Sequence, residues 1–218
     1  MMDNTNQQYL QAMGIELWQE RDQERDQVSD TTFEGQGDDA WQELKQQVEG
    51  CALCGLEKTR TQTVFGVGNR QADLLIIGEA PGANEDKQGE PFVGRAGMLL
   101  NAMLHAIGLD RKDIYIANIL KCRPPKNRDP LPREVELCTP YLQKQLALIN
   151  PKLIVTVGRI AAHFLLNTKE SMGKLRGKTF AYEGIPVVAT YHPAYLLRSP
   201  REKAKSYQDF LRIKELLL

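Results

Sequence analysis

Residues 73–86 read Asp73-Leu-Leu-Ile-Ile-Gly78-Glu-Ala-Pro-Gly-Ala-Asn-Glu-Asp86. An unbroken aliphatic run without polar alternation suits a strand buried on both faces, and such strands belong to parallel sheets covered by helices. Gly78 ends the run. The polar residues after it stand where an open α/β sheet binds ligands, beyond the carboxyl end of a strand.

The pattern repeats outward from this stretch. Ile114-Tyr-Ile-Ala-Asn-Ile-Leu120, Lys152-Leu-Ile-Val-Thr-Val-Gly158 and Gly184-Ile-Pro-Val-Val-Ala-Thr190 read as three further strands. Between them, Gly97–Ile107 and Arg133–Leu148 carry helical periodicity, the second started by Pro132, and another helix follows Gly158 through Leu166. A charged helix from Arg201 closes the chain. Strands alternating with helices predict a three-layer α/β/α domain on a mostly parallel four-stranded central sheet.

The formal charge of 28 bases against 28 acids averages two unlike pieces. Residues 1–50 hold twelve acids and three bases, net −9, whereas residues 51–218 are net +9. That asymmetry, with the composition shift near Gly50, predicts an acidic, Gln-rich, largely flexible extension over 1–50 and a polyanion-binding domain over 51–218. Gly35–Asp39 reads as a flexible polar break, and Ala40–Val48 as a short helix leading to Cys51. Within the extension Tyr9, Leu10, Met13, Leu17 and Trp18 form an apolar stripe at helical spacing. It suits either a helix folded back on the domain or a docking helix for a partner over residues 7–18. No apolar run is long enough to cross a bilayer and no secretory signal is expected, so a cytoplasmic, nucleoid-associated monomer with reduced cysteines is anticipated.

Chemistry-bearing residues gather at the predicted strand ends: Glu79 and Glu85 after the first strand, Asn118 in the second, Arg159 after the third, and Tyr191-His-Pro-Ala-Tyr-Leu-Leu-Arg198 after the fourth. Carboxylates, an amide, an imidazole and arginines suit hydrolysis and base reading more than phosphate cradling. No GxxxxGK[ST] or post-strand GxGxxG motif occurs. Cys51 and Cys54 are spaced C-x2-C, and Cys122 and Cys138 lie downstream. Four thiols complete a shell for zinc or an iron–sulfur centre, and spacing does not separate the two.

Taken in order, CALCGL, GEAPGANED, GEPFVGRAG, Ala117-Asn118, CRPPKNRDP and HPAYLLR resemble the family 4 uracil-DNA glycosylases, the iron–sulfur branch of that superfamily. The resemblance runs from Cys51 to about Leu217. It implies hydrolysis of the deoxyuridine N-glycosidic bond in single- or double-stranded DNA, without lyase chemistry or a covalent trap. It also implies a [4Fe–4S] cluster held by Cys51, Cys54, Cys122 and Cys138. In that scheme Gly78, Phe92, Asn118 and His192 bind the flipped uracil. Phe92 stacks on the base, Asn118 reads its edge, and His192 faces its O2 atom. Glu79 is expected in the pocket with Glu85 as support. Arg95, Arg159 and Arg198 are candidate phosphate contacts, and Leu196 and Leu197 candidate wedges for the gap left in the duplex. The N-terminal peptide separately resembles the docking peptide of the clamp-loader psi subunit, which raises a replisome scaffold as the competing function. The polar set Glu79, Asn118 and His192 favours the enzyme.

Overall fold

The computed structural model describes residues 31–218, with side chains from Asp38 onward. The apolar stripe of residues 7–18 lies outside the described residues. Helices α1 (Thr31–Glu49), α2 (Ala83–Gln88), α3 (Arg95–His105), α4 (Pro132–Ile149), α5 (Arg159–Leu165), α6 (Met172–Leu175), α7 (Pro193–Arg198) and α8 (Lys203–Leu217) alternate with strands. The strands are β1 (Val67–Gly68), β2 (Leu74–Gly78), β3 (Tyr115–Asn118), β4 (Leu153–Val157), β5 (Thr179–Tyr182) and β6 (Ile185–Thr190), in the order β1-β3-β2-β4-β6-β5.

The sheet therefore has six strands, not four. The four expected strands form its parallel centre, and β1 and β5 add antiparallel edges. Both edges are weak as sequence signals. β1 has two paired residues, and β5 alternates exposed with half-buried positions, so neither shows the continuous apolar run of a central strand.

Alternation along the central strands separates two cores. Leu75, Ile77, Tyr115, Ala117 and Ile154 face one side, with Trp41, Leu44 and Val48 of α1, Leu142 and Leu146 of α4 and Leu165 of α5. Leu74, Ile76, Ile116, Leu153 and Val155 face the other, with Leu100 and Leu104 of α3 and Phe210 and Ile213 of α8. A strand covered on both faces carries few polar residues, so these segments read as mainly apolar runs, with Thr156 and the terminal Asn118 and Thr190 as the buried polar exceptions.

The compact unit runs from Gly37 to Leu218, so the composition shift at Gly50 falls inside it. Gly35–Asp39 is part of α1 rather than a break. Trp41 packs edge-on against Phe65 at 5.2 Å and Tyr115 at 5.5 Å, and that burial ties residues 40–49 of α1 to the core. The chain leaves β2, pairs β3 on one side of it and then β4 on the other. This reversal opens a crevice at the carboxyl ends, where Glu79, Asn118 and the residues after β4 and β6 converge.

Candidate functional site

Gly78 lies directly opposite Asn118 in the β2–β3 ladder, and Ile119 and Leu120 continue it by donating to the carbonyls of Gly78 and Glu79, each at 3.0 Å. The Asn118 side chain folds over Gly78 so closely that a Cβ there would lie 2.3 Å from Oδ1 and 2.9 Å from the Phe92 ring. Asn118 is buried, and its Oδ1 has no hydrogen-bond partner among the described residues. A buried acceptor left unpaired costs about 1–3 kcal/mol, so the position favours a ligand that brings an N–H donor.

The segment between α2 and α3 brings Phe92 beneath this amide. Phe92 has φ 54°, uncommon for an aromatic residue, and its carbonyl presses where a Cβ on Gly97 would come within 1.7 Å. Hydrogen bonds hold the strained turn from both sides. Arg111 donates to the Pro91 carbonyl at 2.6 Å and the Phe92 carbonyl at 3.2 Å, while Glu85 Oε1 accepts from the amides of Val93 at 3.0 Å and Gly94 at 3.3 Å. Glu85 thus fastens the turn that presents Phe92. The Phe92 ring stacks with His192, centroids 5.5 Å apart.

His192 caps α7, and its Nδ1 accepts the Ala194 amide at 3.1 Å. Burial first, then the Arg198 charge, push its pKa down to about 4, with Glu85 opposing. The ring is therefore neutral near pH 7, and with Nδ1 engaged as acceptor the proton sits on Nε2 as a donor. In the same cavity, burial and the neighbouring Asp129 raise Glu79 to about 7, partly offset by Arg159. A carboxylate in this range suits general-base work at neutral pH.

Glu79, Glu85, Phe92, Asn118, His192 and Arg198 line one cavity of about 500 Å³. The expected pocket residues are thus brought together, with Gly78 beneath them. Sequence reasoning missed the wall formed by Pro124, Asn127, Arg128 and Asp129, and also Tyr195. The available signal was the CRPPKNRDP motif, which carries part of the family resemblance but whose side chains have no pocket role in that reading. Its backbone turns sharply, with φ 56° at Lys126 and 55° at Asn127, and Arg128 anchors it through both oxygens of Glu134.

The expected DNA contacts divide. Arg198 lines the cavity, Arg159 pairs with Asp129 at 3.2 Å, and Arg95 is exposed at the start of α3, outside the cavity lining. Leu196 is fully buried, which removes it as a wedge, and Leu197 is half-buried. The exposed apolar side chain of α7 is Tyr195: Pro193 and Leu196, three positions apart, share the buried face, and one step of the helix, about 100°, turns Tyr195 away from it.

Cys51, Cys54, Cys122 and Cys138 line a second, much smaller pocket. Among the described residues no group of three or more His, Cys, Asp or Glu is arranged to hold a single metal ion. Cys122 Sγ accepts from Arg60 Nη1 at 2.9 Å and Cys138 Sγ from the Lys121 amide at 3.3 Å, donors that suit sulfurs bearing negative charge. Burial pushes both thiols up, Cys138 to about 11, so a bound cation would be needed to hold them as thiolates.

The family model described as the uracil DNA glycosylase superfamily matches residues 65–217. The type-4 uracil-DNA glycosylase of Archaeoglobus fulgidus is 46% identical over 182 residues, covering 80% of this chain and 92% of that protein. Those of Saccharolobus solfataricus and Sulfurisphaera tokodaii are 44% and 42% identical, covering 80% and 83% of this chain and 85% and 86% of theirs.

Proposed function

The chain belongs to the uracil DNA glycosylase superfamily, and from that premise we propose how its cavity excises uracil from DNA. The reaction is hydrolysis of the deoxyuridine N-glycosidic bond, releasing uracil and leaving an abasic site. A duplex hides that bond, so the nucleotide enters the cavity flipped, at a cost of a few kcal/mol.

The unpaired Oδ1 of Asn118 carries the reading. Uracil offers an N3–H donor beside the O4 acceptor, which matches the Oδ1 and Nδ2 of one amide. Cytosine presents an acceptor at N3 and a donor at C4, and would leave Oδ1 unpaired. Phe92 supplies the stacking face. As the C1′–N1 bond breaks, its electron pair passes to the base, and the His192 Nε2–H donates to the oxygen on which that charge gathers. Glu79 accepts a proton from water as the water oxygen bonds to C1′, and in its ionised form also balances the cationic sugar. Glu85 acts by holding the Phe92 turn.

Cys51, Cys54, Cys122 and Cys138 would hold a [4Fe–4S] cluster, in line with four thiols that line one pocket. When bound, it supplies a four-thiolate cross-link between the Cys51–Cys54 turn and the two ends of the Cys122–Cys138 segment, which includes the cavity wall.

Incubation with a uracil-containing oligonucleotide followed by alkali tests the reading. Strand cleavage at the uracil, with none at cytosine, is expected; an intact strand overturns it.

A further inference from the structure

Lys121 is a buried ammonium that the reaction scheme leaves without a task. It is 1% exposed. Its Nζ donates to the Asn118 carbonyl at 2.8 Å and to Gln145 Oε1 at 2.6 Å, both neutral acceptors. Gln145 is itself fully buried, and its Nε2 donates to the Phe65 carbonyl at 2.9 Å. The Lys121 backbone is equally engaged: its amide donates to Cys138 Sγ at 3.3 Å and its carbonyl accepts from Val64 at 2.8 Å, with Cys122 next in the chain.

A buried ammonium is costly, and an apolar side chain of similar length would fill the same space without that cost. What the ammonium adds is direction at one carbonyl. β1 pairs with Tyr115 and Ile116 and stops short of Asn118. The Asn118 carbonyl thus lies past the end of the edge strand, and the Lys121 side chain supplies the donor that a longer strand would have provided. The other side of the Asn118 segment is already fixed, by the bonds of Ile119 and Leu120 to Gly78 and Glu79.

We propose that Lys121 is a positioning residue for base recognition, its ammonium clamping the Asn118 peptide between the Gln145–Phe65 layer and the cysteine-bearing segment so that the Asn118 amide meets the base edge in one orientation. The inference rests on Asn118 reading uracil, as proposed above.

The test is a double-mutant cycle on the full chain with Lys121→Met and Asn118→Ala, following single-turnover cleavage of a uracil oligonucleotide, inhibition by free uracil, and iron per chain. Lys121→Met should keep its iron, slow cleavage about ten- to hundredfold, and weaken uracil inhibition in step. In the Asn118→Ala background the same substitution should cost less than about twofold, because the lever has nothing left to aim. An undiminished effect in that background, or wild-type rates in Lys121→Met, overturns the proposal. If Lys121→Met loses iron or does not fold, Gln145→Met decides, since it leaves the ammonium and all four thiols in place. A smaller loss in the same direction, absent in the Asn118→Ala background, supports the proposal, and no loss overturns it. Failure of the wild-type chain to release uracil would instead refute the site reading itself.

Discussion

Asp129 and Arg159 pair at 3.2 Å beside Glu79 and act on it with opposite signs, the carboxylate raising its pKa and the guanidinium lowering it. Burial is the larger cause and brings Glu79 to about 7. The ionised form is the base, so cleavage should rise with pH up to about 7 and then level off. Asp129→Asn should move that limb to lower pH and Arg159→Gln to higher pH. Both groups are largely exposed, so solvent screening keeps each displacement small. Single-turnover pH profiles of the three proteins check the signs.

His192 should contribute no limb of its own near neutrality. Its ring is held at about 4 by burial and Arg198, so it stays neutral across the working range. His192→Ala should slow cleavage by about 10²–10³, the cost of losing one preorganised donor to a developing anion. The loss should be the same at every pH above about 5. A loss that vanished toward high pH would indicate a protonated ring.

Gly78→Ala should disable the pocket while sparing the fold. The added methyl meets Asn118 Oδ1 at 2.3 Å and the Phe92 ring at 2.9 Å, so the amide and the stacking face must both move. Overpacking of this kind costs about 1–3 kcal/mol, whereas misplacing the base reader costs about 10² or more in rate. Thermal unfolding and cleavage measured together separate the two.

Iron and acid-labile sulfide should be present at about four each per chain, as a [4Fe–4S] cluster requires. Cys138→Ser should lose both and slow cleavage, because Pro124, Asn127, Arg128 and Asp129 of the cavity wall lie between Cys122 and Cys138. Stoichiometric zinc in the wild-type chain would refute the cluster.

Truncation should discriminate sharply between two starting points. A chain beginning at Gly37 retains the compact unit and should cleave normally. One beginning at Cys51 loses Trp41, Leu44 and Val48 from the core, at about 2–5 kcal/mol for each large side chain, and should fail to fold stably. Circular dichroism melting of both proteins provides the comparison.

The legible and illegible parts of this protein divide along a physical line. The four central strands are readable because burial on both faces leaves a mainly apolar signature, at its clearest in Leu74–Ile77. The edges β1 and β5 are not, since a strand with one neighbour and solvent contact needs no such signature. Glu79, Asn118 and His192 could be found because each sits at the end of a readable strand. Asp129 could not, since its place beside Glu79 depends on how the Cys122–Cys138 segment folds back over β2.

The amino-acid sequence by itself determined the layered parallel sheet, the polar set at its carboxyl edge and the four thiols, because each rests on composition or period within one short segment. Tertiary structure alone decided that Leu196 turns inward while Tyr195 faces out, that α1 belongs to the core despite its acidic surroundings, and that the Lys121 ammonium reaches the Asn118 carbonyl. Those outcomes depend on which faces meet between distant segments, and a local pattern carries no record of its partner.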